Sequence, residues 1–323
     1  MLGAWAVGPV LLAYTSLDRI DGDADAAVLT LNSIARAATS GEDGAADETD
    51  ATRPEPIAGK TTFLLIGTDD RSGLDDLTGF GAFEGRRADV IVVATIDSDL
   101  NAVRLVSLPR DLVAPDLCGT HDEIRLADAF AACDSISGET LLQLTVEQLT
   151  SISVDHVASI DLEGFQEVVD ALGGYEICLE RAVRDEASGL DLPSGCTTAN
   201  GEQTLAWIRS RKTEELVDGR WRVIPGANDL ARNERERAFL VDMFERIIAA
   251  TNVRQLQSLA ATVAPHLALD GSLDLPRLVQ TGWSMRLLTT GDIETLAVPV
   301  ADDTLRQMAV LRPTVDVIEL LSE

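Results

Sequence analysis

Three short stretches join apolar, β-type runs to aspartate and arginine: TTFLLIGTDDRSG (61–73), GRRADVIVVATID (85–97) and VRLVSLPRD (103–111). The first delivers Asp69, Asp70 and Arg71 at its carboxyl end. The second is entered through Arg86, Arg87 and Asp89, and the third exits into Arg110 and Asp111. Carboxylates hold hard cations through oxygen, and guanidinium groups grip phosphate through paired N–H donors. One aspartate after a strand usually closes a turn or caps a helix. Three acidic positions interleaved with Arg71, Arg87 and Arg110 point instead to a metal-assisted phosphate site. Pro109 has no amide hydrogen and belongs at strand ends or edges, so it stops the third strand and fixes Arg110 beside that end.

The elements that must hold these residues follow from the apolar pattern. Phe63–Ile66 and Val90–Val93 are continuous apolar runs, as in strands buried on both faces of a sheet. Groups just outside such strand ends converge on the crevice where open α/β sheets bind ligands. Helices are expected over Gly138–Ser151, Glu163–Leu172 (stopped by Gly173-Gly174), Glu202–Ser210, about Leu230–Ala250, within Ser272–Leu288, and Thr314–Leu321. Short strands are expected at 156–162, 175–179 and 295–299. Ala114–Ile136 reads as irregular and Asp185–Gly201 as loop. The alternation indicates an α/β fold with helices on both faces of a mixed sheet.

Among 323 residues the formal net charge is −28, which argues against a broad basic surface for nucleic acid. All but two of the 26 basic residues are arginine, the exceptions being Lys60 and Lys212. Arg209, Arg211, Arg220, Arg222, Arg232, Arg235 and Arg237 lie close together, and such a cluster in so acidic a chain suggests a dedicated anion. Arg209 and Arg211 fall at a helix end, spaced to flank a diphosphate, while Asp229, Arg232 and Glu236 share one helix face. For Glu234, Arg235 and Arg237 a solvated helix with internal ion pairs stays open. The four cysteines form two local pairs, Cys118/Cys133 and Cys178/Cys196, without zinc-type spacing. They fit two disulfides in an oxidising compartment, or four separate buried thiols.

Leu2–Tyr14 is uncharged and mostly apolar, shorter than the roughly 20 residues of a membrane span and lacking a basic leader. It reads as part of a transmembrane anchor (1–14), followed by a helical stalk and an acidic linker (15–59). The globular part is expected from Lys60 to residue 323.

As an ordered set the motifs resemble the LytR–CpsA–Psr family of bacterial cell-wall glycopolymer transferases. The set comprises G-T-D-D-R (67–71), R-A-D (87–89), S-L-P-R-D (107–111), R-L-A-D-A-F (125–130), E-G-F…L-G-G (163–174), S-G-L-D-L-P-S-G (188–195), R-S-R (209–211) and the D-x-x-R of Asp229 to Arg232. The resemblance covers about residues 60–321. It implies a three-layer α-β-α domain with a central mixed sheet, tethered to the bacterial cell membrane by one span and lying on its extracellular face. An apolar groove would hold the polyprenyl chain.

It further implies Mg²⁺ (or Mn²⁺) on Asp69 and Asp89, with Asp69, Arg87, Asp89 and Arg110 catalytic. Arg71, Arg125, Arg209, Arg211, Asp229, Arg232 and Glu236 would line the phosphates. The implied reaction moves an anionic glycopolymer from a polyprenyl-pyrophosphate carrier to a peptidoglycan hydroxyl. The alternatives are a polyprenyl-pyrophosphate phosphatase and a non-catalytic binder of anionic, lipid-linked polymer. The chain departs from the family pattern at Glu236 (commonly Gln), Arg125 (commonly Lys) and Ala127 (commonly Asn), which bears on acceptor choice and activity.

Overall fold

In a computed structural model of the chain, the apolar runs alternate their side chains between two cores. The structure describes residues 18–20, 22–39, 52–69, 87–97, 102–119, 121–131, 133, 135–225, 235, 238–239, 241–243, 245–246, 253–273, 275–285 and 288–322. Strands β1 (Asp18–Arg19), β2 (Lys60–Thr68), β3 (Ala88–Asp97), β4 (Val103–Ser107), β7 (His156–Ile160), β14 (Leu267–Leu269) and β15 (Ile293–Ala297) form one mixed sheet. Their order is β1-β14-β7-β2-β3-β4-β15. Leu64, Ile66, Ile91, Val93 and Val106 face one core, while Phe63, Val92, Ala94, Ile96, Val103 and Leu105 face the other. Burial on both faces is why these strands carry no polar alternation.

On the first face lies helix α2 (Gly138–Thr150), started by the Ser137 side chain, which accepts the Thr140 amide. Leu142 and Val146 of α2 pack toward the sheet. Leu141 and Leu144 pack outward against Ala27 and Leu31 of helix α1 (Ala24–Thr39). The last helix, α7 (Val317–Ser322), joins this layer through Val317 and Leu321. The second face is covered by Leu273, Met285 and Leu288. Helix α3 (Leu162–Ala171) packs there on α5 (Val253–Val263), and α5 on α6 (Leu275–Ser284). The expected three-layer α-β-α arrangement is the observed one.

Three expectations change. The globular part does not begin at Lys60. Strand β1 pairs in parallel with β14, α1 buries Ala27 and Leu31, and the Arg53 side chain binds both carboxylate oxygens of buried Glu147 at 2.8 and 2.9 Å. The apolar outer face of α2, formed by Leu141 and Leu144, demands this cover. The segment read as loop, 185–201, contains strands. β9 (Val183–Asp185) pairs with β10 (Leu190–Leu192), and β11 (Gly195–Ala199) pairs with β8 (Tyr175–Leu179). The segment read as irregular holds the short hairpin β5 (Val113–Pro115)–β6 (Glu123–Arg125). Such strands of three to five residues are set by pairing partners, with no periodicity of their own to reveal them.

The Asp218-Gly219 turn, with φ of +50° and +75°, links β12 (Glu214–Val217) to β13 (Arg220–Val223). Together with β9 and β10 these strands make a four-stranded sheet in the order β10-β9-β12-β13. Two disulfides form, Cys118–Cys133 and Cys178–Cys196. The second joins directly paired residues of β8 and β11. Among the described residues no helix is long and apolar enough to cross a membrane, and Leu2–Tyr14 lies outside them.

Candidate active site

The sheet topology brings Asp69, Arg87, Asp89 and Arg110 to one edge. β2, β4, β7 and β15 run the same way, and β3 enters from the edge at which they end. Gly67 is paired with Val90 but Thr68 with Ala88, so Asp89 is the extra residue of a β-bulge. A bulge re-aims the side chain it carries. Glycine suits position 67, since a Cβ there would lie 2.9 Å from the Val90 Cβ and one of the two would have to shift. One step further, Asp69 donates its amide to the Arg87 carbonyl (3.0 Å). Its Oδ1 accepts the Arg87 amide (2.8 Å). The buried carboxylate of Asp69 thus extends the β2–β3 ladder past the bulge and holds Arg87 and Asp89 in place.

From Asp89 a chain of alternating charge crosses the edge. Asp89 Oδ1 accepts Arg110 Nη1 at 2.5 Å, and Arg110 Nε reaches Asp111 at 3.4 Å. Asp111 lies 3.7 Å from Arg125, whose guanidinium is held bidentately by Asp128 at 2.8 Å. Those hydrogen bonds to Asp128 raise the Arg125 pKa. All five groups are partly buried. Pro109 has the expected effect. Leu108 makes the final ladder bond to Ile91, and the Leu112 amide then closes a turn onto the Pro109 carbonyl. The Arg110 and Leu112 carbonyls accept the amides of Ala127 and Leu126, which brings S-L-P-R-D and R-L-A-D-A-F together through the backbone.

The second arginine set is built on the small sheet. Helix α4 (Gly201–Arg209) starts at an Asn200/Gln203 capping box and ends at Arg209, as expected. Asp185, 4% exposed, lies under the turn that follows. Its Oδ2 accepts the Ser210 hydroxyl (2.8 Å) and the amides of Arg211 (3.1 Å) and Lys212 (3.0 Å), while Oδ1 accepts the Ala187 amide. Burial alone would raise the pKa of Asp185, but these hydrogen bonds together hold it below the usual aspartate value. Arg235 stacks over Trp207 at 4.7 Å and donates to the Ser210 carbonyl, so it joins this turn and is more than a solvated helix charge.

Of the sequence-predicted residues, Asp89, Arg110 and Arg125 therefore form one network, Asp69 braces Arg87, and Arg209 and Arg211 flank the Asp185 turn. Arg71, Asp229, Arg232 and Glu236 lie outside the described residues. Asp111, Asp128 and Asp185 were not singled out by role, although the first two stand inside quoted motifs.

For the cation, the described residues offer no cluster of three or more His, Cys, Asp or Glu side chains able to hold a metal. Asp69, the residue after β2, and Asp89, on the adjacent β3, supply two carboxylates. That donor set suits Mg²⁺, which commonly takes one or two carboxylates and completes its shell with water and substrate phosphate.

A sheet edge carrying paired Asp and Arg side chains on a three-layer α-β-α domain combines oxygen donors for a hard cation with guanidinium donors for anionic oxygen. The LytR_cpsA_psr family profile matches residues 28–319, and the chain belongs to that family. It is 26% identical to the cell wall biosynthesis protein LcpA of Corynebacterium glutamicum over 276 residues, covering 75% of this chain and 50% of LcpA. It is 28% identical over 211 residues to the polyisoprenyl-teichoic acid–peptidoglycan teichoic acid transferase TagU of Enterococcus faecalis, covering 65% and 61%. The chain thus spans about half the length of the first of these relatives and under two thirds of the second. Among solved structures, the LytR-Csp2A-Psr enzyme of Actinomyces oris superposes with a TM-score of 0.65 at 26% identity, covering 85% of this chain and 93% of that one.

Proposed function

We propose that this protein is an extracytoplasmic phosphotransferase that moves an anionic glycopolymer from a polyprenyl-pyrophosphate carrier to a peptidoglycan hydroxyl. The observation that carries this reading is the Asp89–Arg110–Asp111–Arg125–Asp128 chain at the carboxyl edge of the sheet of a LytR–CpsA–Psr chain. The Enterococcus faecalis relative, a polyisoprenyl-teichoic acid–peptidoglycan teichoic acid transferase, supports it. In the reaction the acceptor oxygen bonds to the glycan-side phosphorus, the anhydride P–O bond breaks, polyprenyl phosphate leaves and the hydroxyl proton is released.

Phosphoryl transfer asks the protein mainly for position and charge neutralisation. Arg110, oriented by Asp89 and Asp111, offers its guanidinium to the equatorial oxygens. Arg125 is held beside it by Asp128, and Arg209 and Arg211 take the far phosphate. Asp69 fixes the backbone on which Arg87 and Asp89 stand. Asp69 and Asp89 would hold Mg²⁺ (or Mn²⁺), which when bound offsets the diphosphate charge. The apolar segment Leu2–Tyr14 is assigned to the bilayer, with the domain on the outer face.

The test is turnover by the detergent-solubilised full chain of a polyprenyl-pyrophosphate-linked oligosaccharide presented with peptidoglycan. Polyprenyl phosphate should appear only with Mg²⁺ or Mn²⁺, and glycan should become attached to the wall polymer. Glycan found only in solution would make the protein a pyrophosphatase. Tight binding without release would make it a binder.

A further inference from the structure

We infer that Asp185 is the positioning residue of the arginine pair Arg209 and Arg211, setting the turn between them so that both guanidinium groups meet a diphosphate without prior ordering of the loop. This rests on the reading of those arginines as diphosphate ligands. Three of the four donors that Asp185 receives come from consecutive residues, Ser210, Arg211 and Lys212, which are the turn itself. Ser210 and Thr213 are almost fully buried, and their hydroxyls contact each other at 2.6 Å. The opposite side of the turn is held as well, by Arg235 donating to the Ser210 carbonyl while its guanidinium lies over Trp207. The peptide between the two arginines is therefore gripped through both its hydroxyl and amide side and its carbonyl side.

A buried carboxylate is an expensive way to close a turn, because desolvation opposes its charge. What it supplies is an acceptor with enough lone pairs for four donors at once. An asparagine cannot replace it, because its NH₂ would face N–H groups across one side of the site. Holding the main chain fixed before the ligand arrives removes the ordering cost from binding, which is how preorganisation raises affinity. The sequence distance hides the link, since Asp185 precedes Ser210 by 25 positions.

The experiment is a double-mutant cycle on the full chain, with geranyl diphosphate and Mg²⁺ as the probe and calorimetric Kd and Tm as readouts. Asp185→Asn should weaken binding about tenfold at temperatures where it is folded, and should change Kd less than about twofold in an Arg211→Ala background. Ser210→Ala removes one donor without uncovering a charge, and should show the same coupling at about threefold. A purely structural Asp185 would lower Tm while leaving the Kd of the folded protein unchanged, or would weaken binding by the same factor in both backgrounds; either result overturns the inference. Unchanged Kd in both Arg209→Ala and Arg211→Ala would instead overturn the reading of the arginines themselves, whatever Asp185 does.

Discussion

The two arginine-bearing regions are organised by opposite means. At the sheet edge, Arg110 and Arg125 are held through their guanidinium groups by Asp89, Asp111 and Asp128. On the small sheet, the main chain between Arg209 and Arg211 is held by Asp185 and Arg235. The first arrangement aims side chains already matched to carboxylates, so each member depends on its neighbour. The second fixes a backbone and lets the side chains follow. A charge network fails sharply when one link is removed. A pinned turn fails by degrees.

The largest effect should come from breaking the network at its centre. Arg110→Ala removes the cation proposed to neutralise phosphate charge and takes from Asp89 its guanidinium partner. Release of polyprenyl phosphate should fall by about a hundredfold or more in kcat. A loss below tenfold would place Arg110 outside the chemistry.

The disulfides sharpen the comparison, since one serves each region. Cys118–Cys133 spans the segment carrying Arg125 and Asp128, and Cys178–Cys196 clamps β8 to β11 ahead of α4. Replacing either pair by serine should cost about 3 kcal/mol in urea unfolding, from the loop lengths involved. Only the first replacement should also lower turnover per folded molecule through Arg125.

Asp270 is a control carboxylate, placed just past β14 and beside the first residues of β7, at the opposite end of that strand from the site. Its Oδ2 accepts the Val157 amide at 2.6 Å and its Oδ1 accepts the Ser272 and Leu273 amides. Burial opposes its charge, yet the hydrogen bonds from His156, Ser272 and Val157 bring its pKa down to about 2. A depressed folded-state pKa stabilises above the unfolded value, near 3.9, and that contribution is lost as pH falls toward 2. Asp270→Asn should therefore cost about 2 kcal/mol at pH 7, with the difference shrinking between about pH 4 and pH 2, and diphosphate affinity should be unaffected. Urea titrations at several pH values measure this.

The mildest change is Gly67→Ala. Its Cβ would press on Val90 in the bulge, and about 1–2 kcal/mol of stability should go. If the bulge aims Asp89, kcat should fall further than stability predicts. Equal loss in the two would mean that the bulge only terminates pairing.

The central strands of the large sheet were legible because burial on both faces leaves unbroken apolar runs, as at 63–66 and 90–93, whereas the two-residue β1 and three-residue β14 carry no such run. Pro109 and the Gly173-Gly174 stop were legible because their backbone chemistry permits few alternatives. The short strands between 183 and 223 were not, since nothing in three or four residues distinguishes a paired strand from loop. Within the site, Asp89 and Arg110 stood out through interleaving of opposite charges near strand ends. Asp111 and Asp128 sat inside the same motifs, where an acid next to an arginine reads as a surface pair until the partners are seen. Asp185 had no sequence signal, because three of its four donors are backbone amides and amides carry no residue identity.

The parallel pairing of Asp18–Arg19 and the grip of Arg53 on Glu147 decide how this protein can be trimmed. A recombinant fragment cut at Lys60 would leave β14 as a bare flank of the sheet and strip the cover from Leu141 and Leu144. It would also strand Glu147, 1% exposed, deprived of its cation. A soluble version that retains native behaviour should therefore begin upstream of Asp18.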